Sequence, residues 1–240
     1  MPDLTIITPT ADQPTGIALC EKWIQRQTVW DKLDIEWIVA EDGSEMTPLT
    51  MDQMHITSPP TFPHEGYRSF LNNLTNAFVA ANSPIIAICE NDDFYHPAHL
   101  ECHLNILKQN PELLASGDYS QRYYNVKHRI WRKMKNTGAC LCQTAFRREA
   151  MPYMEKALRQ AYRKASYGVD RFFWDQIINR RLGNLGDFRT VVGIKGLPGI
   201  AGLGIGHRPE GTLWSNDDDM KVLKQWVKDD YKVYEEFYQR

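Results

Sequence analysis

The chain has 240 residues, 42% of them hydrophobic and 24% charged, and a formal net charge of −2. That is enough chain for one sizeable core and excludes a fibrous or disordered composition. No apolar run approaches the roughly 20 residues of a bilayer-spanning helix. MPDLTIITPT has no basic n-region of a secretory leader, and the five cysteines form no CxxC pair, which points to reduced thiols in a cytoplasmic setting.

LTIITPT (4–10) is a β-rich run closed by Pro and Thr. In ADQPTGIALCEKWIQRQ, Ile17, Trp23 and Ile24 recur at near-helical spacing, with Pro14 close to the start. DIEWIVAEDGSE (34–45) reads as a second strand and a glycine turn, and MHITSPP as a short third strand entering a proline-rich loop. Phe70, Leu71, Leu74, Ala77, Phe78 and Ala81 stripe a helix over 69–82. SPIIAIC is an apolar run of the buried parallel type, and Pro97 suits the first turn of a helix carrying Leu100, Leu104 and Leu107. Strand–helix alternation through residue 110 predicts an α/β fold with a mostly parallel central sheet flanked by helices.

Beyond residue 110 the pattern is less regular. QRYYNVKHRIWRKMK (121–135) reads as a β-hairpin or meander, and helices are expected from about Pro152 to Lys164 and over GVDRFFWDQIINRRL. GIKGLPGIAGLGIGHRP, with six glycines between Gly193 and Gly206, reads as a loop or tight-turned segment. From Ser215 or Asn216 as N-cap, a tail helix is expected to dock through Leu223, Trp226, Val227, Tyr231, Tyr234 and Phe237.

Glu90, Asp92 and Asp93 follow SPIIAI directly. Carboxylates this close repel one another and coexist only with a cation, protons or open water. Ligand chemistry in parallel α/β sheets gathers at the carboxyl ends of strands, and clustered acids there suit a hard divalent ion such as Mg²⁺ or Mn²⁺. An acidic helix N-terminus ahead of Pro97 accounts for one or two acids, not three.

With TPT (8–10), EDGS (41–44) and ENDD (90–93) in this order and spacing, then GACLCQTAFRRE and GVD (168–170), the chain resembles the GT-A glycosyltransferases, particularly those of the family 2 type, over roughly residues 3–210. Their first strand ends in a Pro-Thr loop, a second in Asp-Asp-Gly-Ser, and a DxD-type motif follows a later strand. The resemblance implies a GT-A (Rossmann-like) domain over 1–214, with 1–110 as the nucleotide-sugar-binding half and 111–214 as the acceptor-side half, and the expected tail helix, 215–240, packs on that domain. It implies Mn²⁺ or Mg²⁺ as cofactor and a nucleotide-diphosphate sugar, with UDP as the expected nucleotide, as donor. Thr8, Pro9, Thr10 and Asp42 would surround base and ribose, Asp92 would bind the metal, and Glu90 and Asp93 would touch ribose, metal-bound water or sugar. The departures are Glu41 and Glu90 where Asp is common, and Asn91 within the motif. The extra methylene at Glu90 makes direct ligation less secure there than at Asp92.

The same resemblance makes Asp170 the catalytic base for attack opposite the leaving group, which inverts the anomeric centre. Its place after Gly168, at the start of an apolar helix, suits that role; the alternative is an ordinary N-terminal helix acid, with Asp175 as fallback base. His207 in GIGHRP is a second metal-ligand candidate, and Lys195 and Arg208 flank the same segment as phosphate contacts or ordinary surface residues. His99 and His103, four apart with no third ligand, read as surface or packing residues. Asp217, Asp218 and Asp219 complement the dipole of the tail helix.

Charge is unevenly distributed. Residues 1–120 hold 5 Lys/Arg against 17 Asp/Glu, and residues 121–181 hold 15 against 4. Either the two regions neutralise each other across a shared face, or a basic groove for a polyanion lies beside an acidic metal pocket. Arg122, Arg129, Trp131, Arg132 and Lys133 combine phosphate neutralisation with base stacking, so residues 121–181 are the expected acceptor surface. A similarity to the phage-type transferases that decorate hydroxymethylated pyrimidines points to DNA as acceptor. A glycan or lipid-linked sugar is the alternative acceptor. A catalytically silent nucleic-acid-binding protein on the same scaffold is a second class of function, and a nucleotidyltransferase a third, although ADQPTG lacks the base its phosphate loop needs.

Overall fold

A computed structural model describes residues 1–60, 66–135, 137–199 and 213–238. Strand β1 (Leu4–Thr10) leads through α1 (Pro14–Gln25) to β2 (Ile35–Glu41) and β3 (Met54–Thr57); α2 (Gly66–Ala80) then leads to β4 (Ile85–Ile88). These four strands pair in parallel, in the order β4-β1-β2-β3. All seven residues of β1 are buried, the mark of a strand covered on both faces. The pleat sorts the core: Ile6, Trp37, Val39 and Ala87 enter one apolar cluster, and Ile7, Ile38, Ala40, Ile86 and Ile88 the other. Each fully buried aliphatic side chain of this kind stabilises the fold by roughly 1.5–3 kcal/mol.

After β4 come β5 (Asp93–Tyr95), α3 (His99–Gln109), β6 (Ala115–Asp118), the hairpin β7 (Ser120–Asn125) and β8 (Ile130–Lys135), and β9 (Thr144–Arg147). They are followed by α4 (Met151–Arg163), α5 (Val169–Asn179), β10 (Gly183–Gly186), β11 (Val191–Lys195), β12 (Ser215–Asn216) and α6 (Lys221–Val227). The main sheet has seven strands, ordered β10-β6-β9-β4-β1-β2-β3, and a second sheet has five, ordered β12-β8-β7-β11-β5. Among the described residues, antiparallel β9, lodged between β4 and β6, is the one break in an otherwise parallel main sheet. Helix α2 belongs to the same apolar cluster as α4 and α5, while α1 and the C-terminal segment belong to the other.

The expected elements of the first half, the 121–135 hairpin and both central helices are present. Two expectations are corrected. Gly193 to Lys195 do not belong to a loop: they are buried in β11. A Cβ at position 193 would lie 2.6 Å from Tyr123 Cδ1, so this glycine makes room for a ring across the sheet, a role that glycine density does not distinguish from a turn. The tail is not one helix capped by Ser215 or Asn216. Those two residues pair with β8, Asp217 caps the short α6, and Lys228–Phe237 continues as a 3₁₀ segment. Its docking side chains are those expected, with Leu223, Trp226, Val227 and Tyr234 buried. His99 and His103 are packing residues: both are 1% exposed, with Nδ1 atoms 2.8 Å from Thr190 Oγ1 and 3.0 Å from Ser116 Oγ.

Candidate active site

The carboxyl ends of β1, β2 and β4 meet at one edge of the main sheet, since Thr10 is in register with Glu41 and Ile7 with Ile88. Thr10, Asp42 and the Glu90–Asp93 run are thereby gathered from positions up to 83 residues apart. Asn91 ties them together, its amide donating to Thr10 Oγ1 (2.9 Å) and Gln13 Oε1 (2.8 Å). Asp42 Oδ1 accepts from Ser69 Oγ (2.6 Å) and Asn73 Nδ2 (2.7 Å), and Asn73 also reaches the Thr10 carbonyl (2.9 Å). Thr8 faces the core instead, its hydroxyl accepting from Trp37 Nε1 at 3.0 Å, and Pro9 is buried within β1. The longer Glu41 side chain is fully engaged by Thr47 N and Oγ1 (3.0 and 2.9 Å) and His55 Nε2 (2.9 Å).

The second sheet delivers a cation to this edge. Antiparallel pairing places Gly193 opposite Asp93, and Lys195, two residues on, lies on the same face. Its Nζ donates to Asp92 Oδ2 at 2.6 Å and Asp93 Oδ1 at 3.1 Å, with side-chain exposures of 7%, 11% and 2% for Lys195, Asp92 and Asp93. Burial works to lower the Lys195 pKa, but Asp92, Asp93 and Glu90 together hold it well above the usual lysine value. Burial, Asp93 and Asp92 raise Glu90 far above the carboxylate range. Burial likewise raises Asp93, against the pull of Lys195.

Cys142, which sequence reasoning passed over, enters from the 3₁₀ turn Leu141–Gln143 ahead of β9. The ligand atoms of Glu90, Asp93 and Cys142 lie within 4.8 Å of one another. A hydrogen bond with Cys140 and burial keep the Cys142 thiol protonated, and its contact with Asp93 favours that carboxylate's charged form. A neutral thiol is a poor ligand for Mn²⁺ or Mg²⁺, whereas crowded carboxylate oxygens suit such ions. The acids of this edge fit a divalent cation, with Glu90 and Asp93 converging and Asp92 held by the ammonium.

Asp170 lies half-buried in the first turn of α5, where its Oδ1 accepts from Arg171 N at 2.7 Å. Burial raises its pKa, and its charge adds to the rise at Glu90, so the two carboxylates share one electrostatic field. His207 and Arg208 lie outside the described residues.

The candidate acceptor side chains are drawn mostly into the fold. Arg122 is buried, donating to the Arg189 and Val191 carbonyls. Arg129 Nη1 donates to the Asp218 carbonyl at 2.8 Å. Trp131 meets Trp226 edge to face at 5.8 Å, and the Lys133 ammonium lies over both rings. Arg132 is half-buried opposite Tyr123. Most exposed bases of this region lie on or at the ends of helices: Lys156, Arg159, Arg163 and Lys164 line a surface depression on α4, with Arg171 on α5 and Arg180 and Arg181 just past its end, while Lys133 is exposed on β8. Among the described residues, no ion pair joins bases of 121–181 to acids of 1–120. No described helix is long and apolar enough to cross a membrane.

Two signals in the sequence pointed at what was missed: Asn73 interrupts the apolar stripe of α2, and GACLCQ places two thiols beside the acceptor-side strand.

The description "Glycosyl transferase family 2" belongs to a family whose profile matches residues 5–176. Among solved structures, the chain is similar to a mannosyltransferase from Pyrobaculum calidifontis in complex with GDP-Man and Mn²⁺, at TM-score 0.55 and 15% identity, over 82% of this chain and 57% of that one. A mycobacterial protein is similar at TM-score 0.49 and 14% identity, over 80% of this chain and 65% of that one. The chain thus spans less than two thirds of either structure. Among curated proteins, none matches this sequence.

Proposed function

This chain belongs to glycosyl transferase family 2, and on that footing we propose that it moves a sugar from a nucleotide-diphosphate donor to an acceptor hydroxyl with inversion at the anomeric carbon. The observation that carries the reading is the convergence of Glu90, Asp92, Asp93 and Lys195 at the strand edge that also holds Thr10 and Asp42. Glu90, Asp92 and Asp93 would hold Mn²⁺ or Mg²⁺, which supplies positive charge where the diphosphate departs. Asp42, braced by Ser69 and Asn73, presents a fixed carboxylate to the ribose and base beside Thr10. Residues 1–110 supply most of this donor side, completed from 111–214 by Lys195 and Cys142.

Asp170 acts on the acceptor. Its carboxylate takes the hydroxyl proton as the acceptor oxygen bonds to the anomeric carbon, and the bond from that carbon to the phosphate oxygen breaks with its electron pair leaving on the diphosphate. Burial favours this role by raising a carboxylate toward the working pH, and general base assistance is worth roughly 10²–10⁴-fold.

The acceptor we propose is polyanionic, specifically a hydroxymethylated pyrimidine in DNA. The support is the exposed cationic face of α4 and α5 on the acceptor half, which among the described residues forms no ion pair with the acids of the first half. Purified protein with Mn²⁺, a panel of UDP- and GDP-sugars and hydroxymethylated DNA tests both parts by nucleoside mass spectrometry. Slow donor hydrolysis is expected, lost in Asp92→Ala, together with a hexose or pentose mass increase on the hydroxymethylated nucleoside. Hydrolysis persisting in Asp92→Ala overturns the metal assignment, and hydrolysis without modified nucleoside overturns the DNA acceptor in favour of a glycan or lipid-linked one.

A further inference from the structure

We propose that Lys195 is an internal counter-cation that holds the divalent-ion locus until a donor diphosphate arrives, so that metal and nucleotide bind as a coupled pair. This rests on the nucleotide-sugar reading for the identity of the second ligand. The ammonium occupies one oxygen on each of two carboxylates that a divalent ion would draw on, Asp92 Oδ2 at 2.6 Å and Asp93 Oδ1 at 3.1 Å, and it is buried there with them. An ion binding alone must displace it, leaving a buried ammonium beside two further positive charges, an arrangement strongly disfavoured in low dielectric. A diphosphate binding alone meets three acidic side chains. When both bind, the ion takes the carboxylates and Lys195 turns to the phosphate oxygens, so every charge is paired.

Lysine suits this exchange because it is a point charge on a flexible four-carbon stem, able to swing between partners. Its position suits it as well. Lys195 ends β11, and the chain beyond it runs over the loop that follows β1: a Cβ at Gly199, where φ is +116°, would lie 2.7 Å from the Asp12 carbonyl. Lys195 therefore begins the segment that links the acids to the loop expected to face the nucleotide. Linkage makes the effect reciprocal, so each ligand tightens the other by one factor, typically about 5–150-fold.

Mn²⁺ titrations of metal-free protein, followed by the loss of the free-ion EPR signal, test this without any turnover. Wild type is expected to bind Mn²⁺ weakly alone and about 5–150-fold more tightly with UDP or GDP present. Lys195→Met should bind Mn²⁺ alone nearly as tightly as wild type does with nucleotide, and gain little from adding it. Equal Mn²⁺ affinity of Lys195→Met and wild type, including none in either, overturns the proposal. If Lys195→Met does not fold, wild type decides: a nucleotide that binds without changing Mn²⁺ affinity is equally fatal. Tighter Mn²⁺ binding by Lys195→Met with no response to either nucleotide in any form supports the competition and removes the nucleotide-sugar reading instead.

Discussion

The run Glu90–Asp93 and the run Asp217–Asp219 are near copies in composition, yet they meet opposite environments. Asp217 turns inward and accepts from Val222 N (3.1 and 3.0 Å) and Leu223 N (3.2 Å). Its two neighbours stand in solvent, with Asp219 3.0 Å from Lys221. Backbone amides and water satisfy this run, and it performs a helix cap. Glu90, Asp92 and Asp93 are closed in between two sheets, where the Lys195 ammonium pairs with Asp92 and Asp93. Acidic composition is thus neutral as to role; what packs over the acids decides whether they cap a helix or stand closed in beside a buried ammonium.

The largest expected effect is on the closed cluster. Lys195→Met removes the buried ammonium that pairs with Asp92 and Asp93 and should destabilise the metal-free protein by about 3–5 kcal/mol in urea denaturation, part of which Mn²⁺ restores. No change would mean that the cluster is as well solvated as the tail acids, and the contrast would collapse. Asp170→Asn removes the carboxylate that shares a field with Glu90. Donor binding should persist while transfer falls about 10²–10⁴-fold in single-turnover assays; unchanged transfer would place the base elsewhere.

His103 shows how burial acts when only a neutral hydroxyl, Ser116, answers it. Burial lowers this imidazole to about 4, whereas an unfolded histidine titrates near 6.5. Between those values the unfolded chain carries the proton and the folded chain does not, so unfolding takes up a proton and stability falls as pH drops from about 6.5 to 4. The full difference is about 3 kcal/mol. It is read as the pH-dependent part of the stability gap between wild type and His103→Gln, and a gap constant across that window would show that His103 is not buried in neutral form. The smallest effect belongs to the open run: Asp217→Ala should lower stability by about 1 kcal/mol and leave Mn²⁺ affinity as it is. A change in Mn²⁺ affinity there would erase the distinction between the two runs.

Much of the carboxyl-edge cluster was legible because it is local. TPT, EDGS and ENDD each sit where a strand ends, and the apolar runs before them announce those strands by their own composition. Lys195 was visible as a candidate phosphate contact, but its pairing with Asp92 was not, because 103 residues separate them and the segment's glycines suggested a turn. The basic hairpin misdirected in the other direction. Arg122 and Trp131 carry the chemistry of nucleic-acid binding, yet Arg122 serves backbone carbonyls and Trp131 packs on Trp226, leaving most of the exposed bases on and beside α4 and α5.

From the sequence alone came most strands and helices of the first half, their parallel arrangement and the acids at its carboxyl edge, since hydrophobic period and residue type act over a few positions. Only the tertiary structure decided which charges are neighbours: that Lys195 faces Asp92 and Asp93, that Cys142 reaches Asp93, and that Asp217 caps a helix. Those outcomes depend on sheet pairing between distant segments and on water excluded by both sheets together, and no short window of residues encodes either.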